Sequence, residues 1–322
     1  MYKKLLKIFE PTYSVDPSTF PMLYKFLDEA NLSLLDVGRR GGVVPELRHL
    51  ALYSDIYSVE PDPIEAASLH KEGRKDASHK KFQLIDKAIW RESGSQQLNI
   101  TVQPGLSSLY KPNKVLFSRY FDENVCDVKK VVNVDCLTGE DILRESAIKT
   151  PKVIKLDTQG SELEILKSFA SLDECEVVYI EVEFQEFYSN QPLFRDIDSF
   201  MAENGFELMD LKRTFHRRFK TIKKLDASRK EINWGHALYV KSKDLTSCFR
   251  SNASCVFLLG YLDLFYEILN NKKVLNDSFL AELELYSRKL KRYKRFDEFK
   301  SAIKVLFNRK SEFLSDSDRT FI

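Results

Sequence analysis

Apolar segments that favour strands alternate with segments that favour helices between residues 31 and 243. The predicted strands lie at 34–37, 56–60, 82–89, 152–156 and 177–184, and two more at 206–211 and 237–241 are expected to close the sheet. Helices are predicted at 43–53, from Pro63 onward, at 161–169 and at 193–204, and residues 97–102 are expected in a β-hairpin. This alternation is typical of an α/β fold with a mostly parallel sheet and helices on both faces.

The two ends of the chain differ from this central part. Residues 1–30 are predicted to be a short lead-in that ends in a helix from Met22 to Ala30, and residues 244–322 a helical appendage. Within the appendage, residues 286–310 are rich in Lys and Arg, which indicates either a solvated helical face or an interaction surface. We therefore divide the chain into 1–30, 31–243 and 244–322, and expect any homo-oligomer to form through the C-terminal helices.

Charge balance and cysteine usage restrict the classes of function. With 50 Lys and Arg against 48 Asp and Glu, the formal net charge is +2, too balanced for a protein that binds nucleic acid mainly through phosphate contacts. The five cysteines form no CxxC pair and no zinc-ligand spacing, so buried thiols in a reducing cytoplasm are expected. The apolar runs at 255–262 and in MYKKLLKIFE are too short for a membrane span or a secretion signal.

The segment LLDVGRRGG, residues 34–42, joins a predicted strand to a glycine-rich loop. The loop lacks the second glycine of the GxGxxG fingerprint, the residue that lets the backbone approach a pyrophosphate. An acid followed by a glycine-rich turn suits instead a ligand without phosphate that carries an ammonium group and a ribose, as S-adenosylmethionine does. Asp36 is expected near the ammonium group, and Gly38 and Gly42 are expected to allow close approach.

A second acid is expected at the end of the next strand, about 20 residues further on, to bind the ribose hydroxyls. Glu60 has this position. Asp86 follows the third strand and is predicted to meet the adenine edge, because ligands of open α/β sheets bind at the carboxyl ends of the strands. Arg40, Lys87 and Ala88 are further predicted cofactor contacts. For each acid taken alone, a helix N-cap or a turn residue is an equally good interpretation.

Several motifs between residues 32 and 242 resemble those of the FkbM family of S-adenosylmethionine-dependent methyltransferases. They are LLDVGRRGG (34–42), YSVEPDP (57–63), GLSSLYKPN (105–113), VIKLDTQGSELEILKSF (153–169), EVEFQEFYSNQPLF (181–194) and INWGHALYV (232–240). The resemblance implies a class I, Rossmann-like methyltransferase fold that acts on hydroxyl groups of sugars, polysaccharides or secondary metabolites. The chain departs from the family at Arg39, where members commonly carry Asn or Ala.

The motif LDTQGSELEIL supplies two residues of the expected active site. Asp157 matches a family residue that contacts the cofactor or orients the substrate, and Glu162 matches the glutamate of the GxE motif of the family. The same stretch predicts a capping box in which Ser161 binds an amide of the first helical turn and Glu164 reaches back. This gives Glu164 a structural role and leaves Glu162 for the active site.

The fifth strand is predicted to place Glu181 and Glu183 on one face, because side chains alternate along a strand. Two carboxylates are costly to bury, so an open site at the carboxyl end of the strand explains them better than a buried salt bridge. Glu183 is predicted to be the general base or a ligand of a sugar hydroxyl. His236 is the second candidate base, since histidine titrates near neutral pH, and a solvent-facing histidine is the alternative.

Three residues are predicted on the substrate side. Ser107 and Ser108 lie in a loop that resembles the substrate-side loop of the family, although a plain turn explains them equally well. Tyr188 is expected either to stack on a sugar or to pack in the core. No metal is predicted, although Asp157, Glu162 and Glu183 would offer carboxylate ligands.

Together these features predict an S-adenosylmethionine-dependent methyltransferase that O-methylates a hydroxyl of a sugar, glycan or related metabolite, with polysaccharide biosynthesis as the context that the resemblance suggests. A non-catalytic binding module on the same fold is the alternative, motivated by Arg39 and the basic C-terminal helices. An NAD-dependent sugar oxidoreductase is disfavoured by the broken glycine fingerprint. A nucleic-acid methyltransferase is disfavoured because the chain lacks the Asn/Asp-Pro-Pro-aromatic motif and the Pro-Cys nucleophile.

Overall fold

The computed structural model describes residues 15–38, 42–62, 66–67, 69, 80–122, 124–219, 228–242 and 249–307 of the chain, with side chains to residue 292. Three of the loop residues discussed above, Arg39, Arg40 and Gly41, lie outside the described residues. The predictions made for Arg39 and Arg40 therefore stay predictions.

Within the described residues, ten strands form two sheets. They are β1 (Leu32–Val37), β2 (Ser54–Val59), β3 (Lys81–Ile85), β4 (Ala88–Ile89), β5 (Gly94–Thr101), β6 (Val128–Leu137), β7 (Val153–Leu156), β8 (Val177–Glu183), β9 (Phe206–His216) and β10 (Glu231–Lys241). The main sheet has the order β3-β2-β1-β7-β8-β10-β9, in which β10 runs antiparallel to both of its neighbours. The chain reverses its direction of winding between β1 and β7, the position where ligands of such sheets bind.

The smaller sheet has the order β4-β6-β5. The single strand predicted at 82–89 is in fact two strands in two different sheets, with Asp86 and Lys87 as the connection. The hairpin prediction at 97–102 is half right, because β5 pairs antiparallel with β6 but residues 102–127 intervene. No strand was predicted at 128–137. The reason is that β6 alternates exposed and buried residues only in its second half.

Nine helices are described in this part of the chain. They are α1 (Pro21–Asp28), α2 (Arg48–Ala51), α3 (Lys114–Tyr120), α4 (Gly139–Glu145), α5 (Glu162–Lys167), α6 (Phe194–Glu203), α7 (Phe249–Leu258), α8 (Leu262–Asn271) and α9 (Asp277–Phe307), with 3-10 turns at Pro45–Leu47 and Pro104–Leu106. The helix predicted at 43–53 is only a 3-10 turn followed by one turn of α-helix. Gly205 ends α6 with φ of +77°, as its position predicted.

The two faces of the main sheet carry two separate cores, because alternate residues of each strand point to opposite sides. On one face, residues such as Leu34, Val153 and Tyr179 pack against α1, α2 and the three C-terminal helices. On the other face, residues such as Leu35 and Ile180 pack against α4, α5 and α6. The N-terminal and C-terminal helical segments therefore share one core with the sheet.

Two further findings concern membrane-spanning helices and the cysteines. Among the described residues, no helix combines the length and the apolar character needed to cross a membrane. Cys126, Cys136, Cys175 and Cys255 are buried free thiols, as the absence of paired motifs predicted, and Cys248 lies outside the described residues. Burial raises the pKa of the Cys136 thiol to about 11 and that of Cys175 to about 12, which keeps both in the unreactive thiol form.

Candidate active site

A cavity of about 370 Å³ lies at the carboxyl ends of the central strands; we call it the central cavity. Val37 ends β1 and Val59 ends β2 at its floor, and β4 and β5 of the smaller sheet form a wall that includes Ala88 and Leu98. Its charged or titratable lining residues are Glu60, Asp62, Asp157, Glu181 and His236. The central cavity therefore occupies the edge of the sheet at which the sequence analysis placed the cofactor.

Glu60 lies in the lining of the central cavity with only 6% of its surface exposed, and its Oε1 accepts a hydrogen bond from the Asp62 amide at 3.0 Å. Ala88 also lines the cavity. Asp86 is exposed and does not line it, and Lys87 instead forms an ion pair with Asp135 at 3.1 Å. Of the contacts predicted after the second and third strands, the structure therefore gathers Glu60 and Ala88 and leaves out Asp86 and Lys87.

Asp36, at the end of β1, is buried and is absent from the cavity lining. Its Oδ1 lies 3.2 Å from Nζ of Lys155, which also donates to the carbonyl oxygens of Gly38 at 2.9 Å and Val37 at 3.3 Å. Burial lowers the pKa of Lys155, but the charges of Asp36 and Asp157 outweigh it and the net direction is upward. A charged Lys155 thus ties Asp36 to the carbonyls at the start of the loop.

Gly38 has φ of +74°, and a Cβ at this position would overlap the carbonyl oxygen of Asp157. Both facts require glycine there, and Gly38 lines the central cavity as predicted. Gly42 also has positive φ, of +91°, but does not line the cavity. The close approach at Gly38 is therefore, in this structure, an approach between its own backbone and the backbone of Asp157.

Asp157 lies between Lys155 and His236 at the cavity wall. Its Oδ2 is 3.9 Å from Nζ of Lys155 and 3.9 Å from Nε2 of His236. Burial favours the protonated form, but the neighbouring His236 and the Lys155 charge prevail and hold the pKa of Asp157 below its usual range. His236 lines the central cavity, and its ring stacks on Tyr179 with centroids 5.4 Å apart.

Glu162 binds the loop that precedes α5. Its Oε1 accepts from the backbone N–H of Thr158 at 2.6 Å and from the Thr158 hydroxyl at 2.9 Å, and its Oε2 accepts from the Gly160 N–H at 2.9 Å. The predicted capping box is wrong, because the Ser161 hydroxyl has no hydrogen-bond partner among the described residues and α5 has no side-chain cap. Glu162 satisfies the loop amides instead and does not line the central cavity.

Gln159 was not identified as a site residue from the sequence. It has φ of +61°, unusual for a residue with a side chain, and its Nε2 lies 2.6 Å from Oε2 of Glu181 and 3.3 Å from Oδ1 of Asp157. Its Oε1 accepts from the Tyr188 hydroxyl at 2.9 Å, and its carbonyl accepts from the Ser108 hydroxyl at 2.7 Å. The Gln159 amide group therefore donates to both carboxylates and reduces their mutual repulsion.

A second cavity, of about 270 Å³, adjoins the first; we call it the aromatic cavity. Five of its lining side chains are aromatic, namely Phe117, Phe121, Phe187, Tyr188 and Trp234. It shares Gly105, Gln159 and Glu181 with the central cavity, so the two spaces meet at these three residues.

Glu181 and Glu183 lie on the same face of β8, opposite His236 and Trp234 of β10, which confirms the predicted alternation. Neither glutamate has an ion-pair partner among the described residues, and Oε2 of Glu183 has no hydrogen-bond partner there. Burial raises the pKa of both carboxyls well above 4.5, and nearby carboxylates raise it further. Among the described residues, no group of His, Cys, Asp and Glu is arranged to hold a metal ion.

The three residues predicted on the substrate side all line one of the two cavities. Ser107 and Ser108 line the central cavity, where Oγ of Ser107 also accepts from the Thr101 N–H at 3.2 Å. Tyr188 lines the aromatic cavity but is almost fully buried, with its ring edge-on to Phe117 at 5.7 Å between centroids. Both interpretations of Tyr188, packing and contact with a ligand, remain compatible with this position.

The FkbM methyltransferase domain matches residues 38–208, more than half of the chain, and the protein therefore belongs to the FkbM methyltransferase family. This confirms the family suggested by the sequence motifs, the class I methyltransferase fold and S-adenosylmethionine as the cofactor. No curated protein sequence matches the chain.

Several solved structures are distantly similar. A methyltransferase FkbM from Methylobacillus flagellatus KT is 13% identical, with a TM-score of 0.35 over 64% of this chain, which spans 44% of that protein. A magnesium protoporphyrin IX methyltransferase from Synechocystis PCC 6803 with bound SAM is 9% identical, with a TM-score of 0.34 over 70% of this chain and 78% of that one. TrmK of M. capricolum, in complex with S-adenosyl-homocysteine, is 11% identical with a TM-score of 0.32, over 84% and 96% of the two chains.

Proposed function

We propose that this protein transfers a methyl group from S-adenosylmethionine in the central cavity to a hydroxyl of a sugar, glycan or related metabolite in the aromatic cavity. The observation that carries the proposal is that the two cavities meet at Gly105, Gln159 and Glu181. A methyl donor and an acceptor held on the two sides of this junction would have their reacting atoms next to each other. Such positioning supplies a large part of the rate in transfer reactions.

The residues of the central cavity fit the cofactor. Glu60 offers a carboxylate at the end of β2 for the two ribose hydroxyls, and Ala88, Ile89 and Leu98 offer apolar surface for the adenine ring. Asp157, whose pKa is held low, offers a carboxylate for the ammonium group of the methionine part. When bound, the cofactor supplies an electrophilic methyl group on a positively charged sulfur.

The acceptor hydroxyl must lose its proton as it is methylated, and Glu183 is the proposed base. Glu183 lines the aromatic cavity, and its buried Oε2 has no hydrogen-bond partner among the described residues, whereas Oε2 of Glu181 already accepts from Gln159. His236, which lines the central cavity beside Asp157, is the second candidate. Glu162 is proposed to act indirectly, because its carboxylate holds the loop that carries Gln159.

The lining of the aromatic cavity favours a ring-shaped polar acceptor. The faces of Phe187, Tyr188 and Trp234 suit the C–H faces of a sugar ring, and the two carboxylates suit its hydroxyl groups. Ser107 and Ser108 line the central cavity, so their side chains would lie beside the bound cofactor.

The proposal is tested in two steps on the full-length chain. Isothermal titration with S-adenosylhomocysteine is expected to give micromolar binding that collapses in Glu60→Ala. Radiolabelled methyl transfer to a panel of sugars and glycans then tests turnover, with NAD as a control ligand that should leave the melting temperature unchanged. Binding of S-adenosylhomocysteine with no transfer to any hydroxyl acceptor would favour the binding-module alternative, and no binding at all would overturn the proposal.

A further inference from the structure

The aromatic cavity contains two acidic groups that form no ion pair with a cation of the described chain. Glu183 is 3% exposed and Glu181 is 7% exposed, and neither forms an ion pair with a described Lys, Arg or His. Lys155 acts on Glu181 only through its charge, because its ammonium group is 3.2 Å from Asp36 and 3.9 Å from Asp157. Buried carboxylates are costly unless a positive group lies beside them or they take up a proton.

The remaining walls of this cavity are of a kind that attracts cations. Five aromatic rings line it, and the negative face of an aromatic ring attracts a positively charged group that lies within about 6 Å. Trp234, the strongest ring type for this interaction, lies opposite Glu183 in the pairing of β10 with β8. Phe187 contacts Trp234 edge-on at 5.7 Å between centroids, so the rings form a connected wall.

We infer that the acceptor carries a protonated amine, as an amino sugar does, and that the aromatic cavity binds this group between Glu183 and the aromatic wall. The inference rests on the proposed function, since it names the acceptor class of the same site. A bound ammonium group supplies the positive charge that the two glutamates lack in the described chain. It also keeps Glu183 ionised, the state in which a carboxylate can accept the proton of a hydroxyl.

The amine does not change which bonds form and break during the methyl transfer. The acceptor hydroxyl gives its proton to the Glu183 carboxylate, its oxygen forms the bond to the methyl carbon, and the electron pair of the broken carbon–sulfur bond stays on sulfur. The ammonium group keeps its protons throughout, and this lack of a free lone pair directs methylation to the neighbouring hydroxyl.

The test measures binding of paired sugars to the full-length protein saturated with S-adenosylhomocysteine. Glucosamine, galactosamine and mannosamine are each compared with their N-acetyl forms by isothermal titration at about pH 6, where the free amines are protonated. The protein has two tryptophans, at 90 and 234, so fluorescence of a Trp90→Phe variant reports on the cavity through Trp234 alone. At least one amine is expected to bind about tenfold more tightly than its N-acetyl form and to quench Trp234.

Two isosteric variants separate the charge from the shape of the site. Glu183→Gln is expected to reduce the preference for the amine to less than about twofold, while Glu203→Gln, an exposed position on α6, is expected to leave it intact. Retained binding of S-adenosylhomocysteine shows that each variant is folded.

Equal or tighter binding of all three N-acetyl sugars, or a preference that survives Glu183→Gln, would overturn the inference. If neither form binds while S-adenosylhomocysteine does, the inference also fails. Methylation of a neutral sugar under these conditions would leave the proposed function standing without the amine, whereas loss of S-adenosylhomocysteine binding by the wild type would remove the proposed function itself.

Discussion

Nζ of Lys155 lies 3.2 Å from Oδ1 of Asp36, and both side chains are buried, with 4% and 2% of their surfaces exposed. Lys155 on β7 and Asp36 on β1 are directly paired across these neighbouring parallel strands. This pairing explains why Asp36 does not reach the central cavity. It also fixes the carbonyl groups of Val37 and Gly38, and therefore the start of the cofactor loop.

Lys155→Met is expected to lower the free energy of unfolding by about 3–5 kcal/mol, because it leaves Asp36 buried without its cation. The double variant Asp36→Asn with Lys155→Met is expected to recover most of this loss. Denaturant unfolding measures both. Lys87→Met, which breaks an exposed ion pair with Asp135, serves as the control and should have little effect. A loss for Lys155→Met no larger than that of the control would contradict the role assigned to the pair.

Glu60→Ala is expected to weaken binding of S-adenosylhomocysteine by about 10–100-fold, since it removes hydrogen-bond acceptors for charged or hydroxyl groups of the ligand. Asp86→Ala is the matched control, because Asp86 also follows a strand of the sheet but lies outside the cavity. Titration calorimetry should show less than about a twofold change for Asp86→Ala. Equal losses in the two variants would mean that the ribose is bound elsewhere.

Gly38→Ala is expected to destabilise the protein by about 2 kcal/mol or more, because φ is +74° and the new Cβ would overlap the carbonyl oxygen of Asp157. Gly105→Ala is expected to leave stability unchanged, since no atom lies within 4 Å of a Cβ there. Because Gly105 lies where the cavities meet, its substitution should instead raise KM for the acceptor. Thermal unfolding and steady-state kinetics distinguish the two glycines.

Tyr188→Phe and Gln159→Ala are expected to be coupled by about 1 kcal/mol in a double-mutant cycle, because each removes one partner of the same 2.9 Å hydrogen bond. Tyr239→Phe is the control for loss of a buried hydroxyl, since Tyr239 donates to Asp198 outside both cavities. Its effect should add to that of Gln159→Ala. Additive behaviour of the Tyr188 pair would show that Gln159 is held by other contacts.

Glu183→Gln is expected to raise the melting temperature of the ligand-free protein at pH 8 by several degrees, and to have little effect near pH 4. Burial raises the pKa of Glu183 well above 4.5, so the folded state keeps a proton that the unfolded state has already released. The wild type therefore loses stability as pH rises from about 4.5 toward the raised pKa, and the uncharged amide removes this loss. A melting-temperature difference that does not depend on pH would contradict the assignment.

Local patterns in the sequence were sufficient to predict the strand and helix alternation. The period of two in β8 placed Glu181 and Glu183 on one face, and the predicted strand ends at Val37 and Glu60 located the edge of the sheet where the cavity lies. The prediction was less accurate where one apolar segment of the sequence is divided between two sheets. The run 82–89 is apolar enough for one strand, but its two halves pair with β2 and β6 in different sheets.

The sequence by itself determined the fold class, the methyltransferase family and the close approach at Gly38, because these depend on periodicity and on short motifs within a few residues. Only the tertiary structure decided that Asp36 pairs with Lys155, that Glu162 binds the amides of the loop before α5, and that Gln159 lines both cavities. Each of these is a choice among hydrogen-bond or charge partners. Where several polar side chains compete for one buried group, the partner is set by which chain segments pack together, and that information is not local.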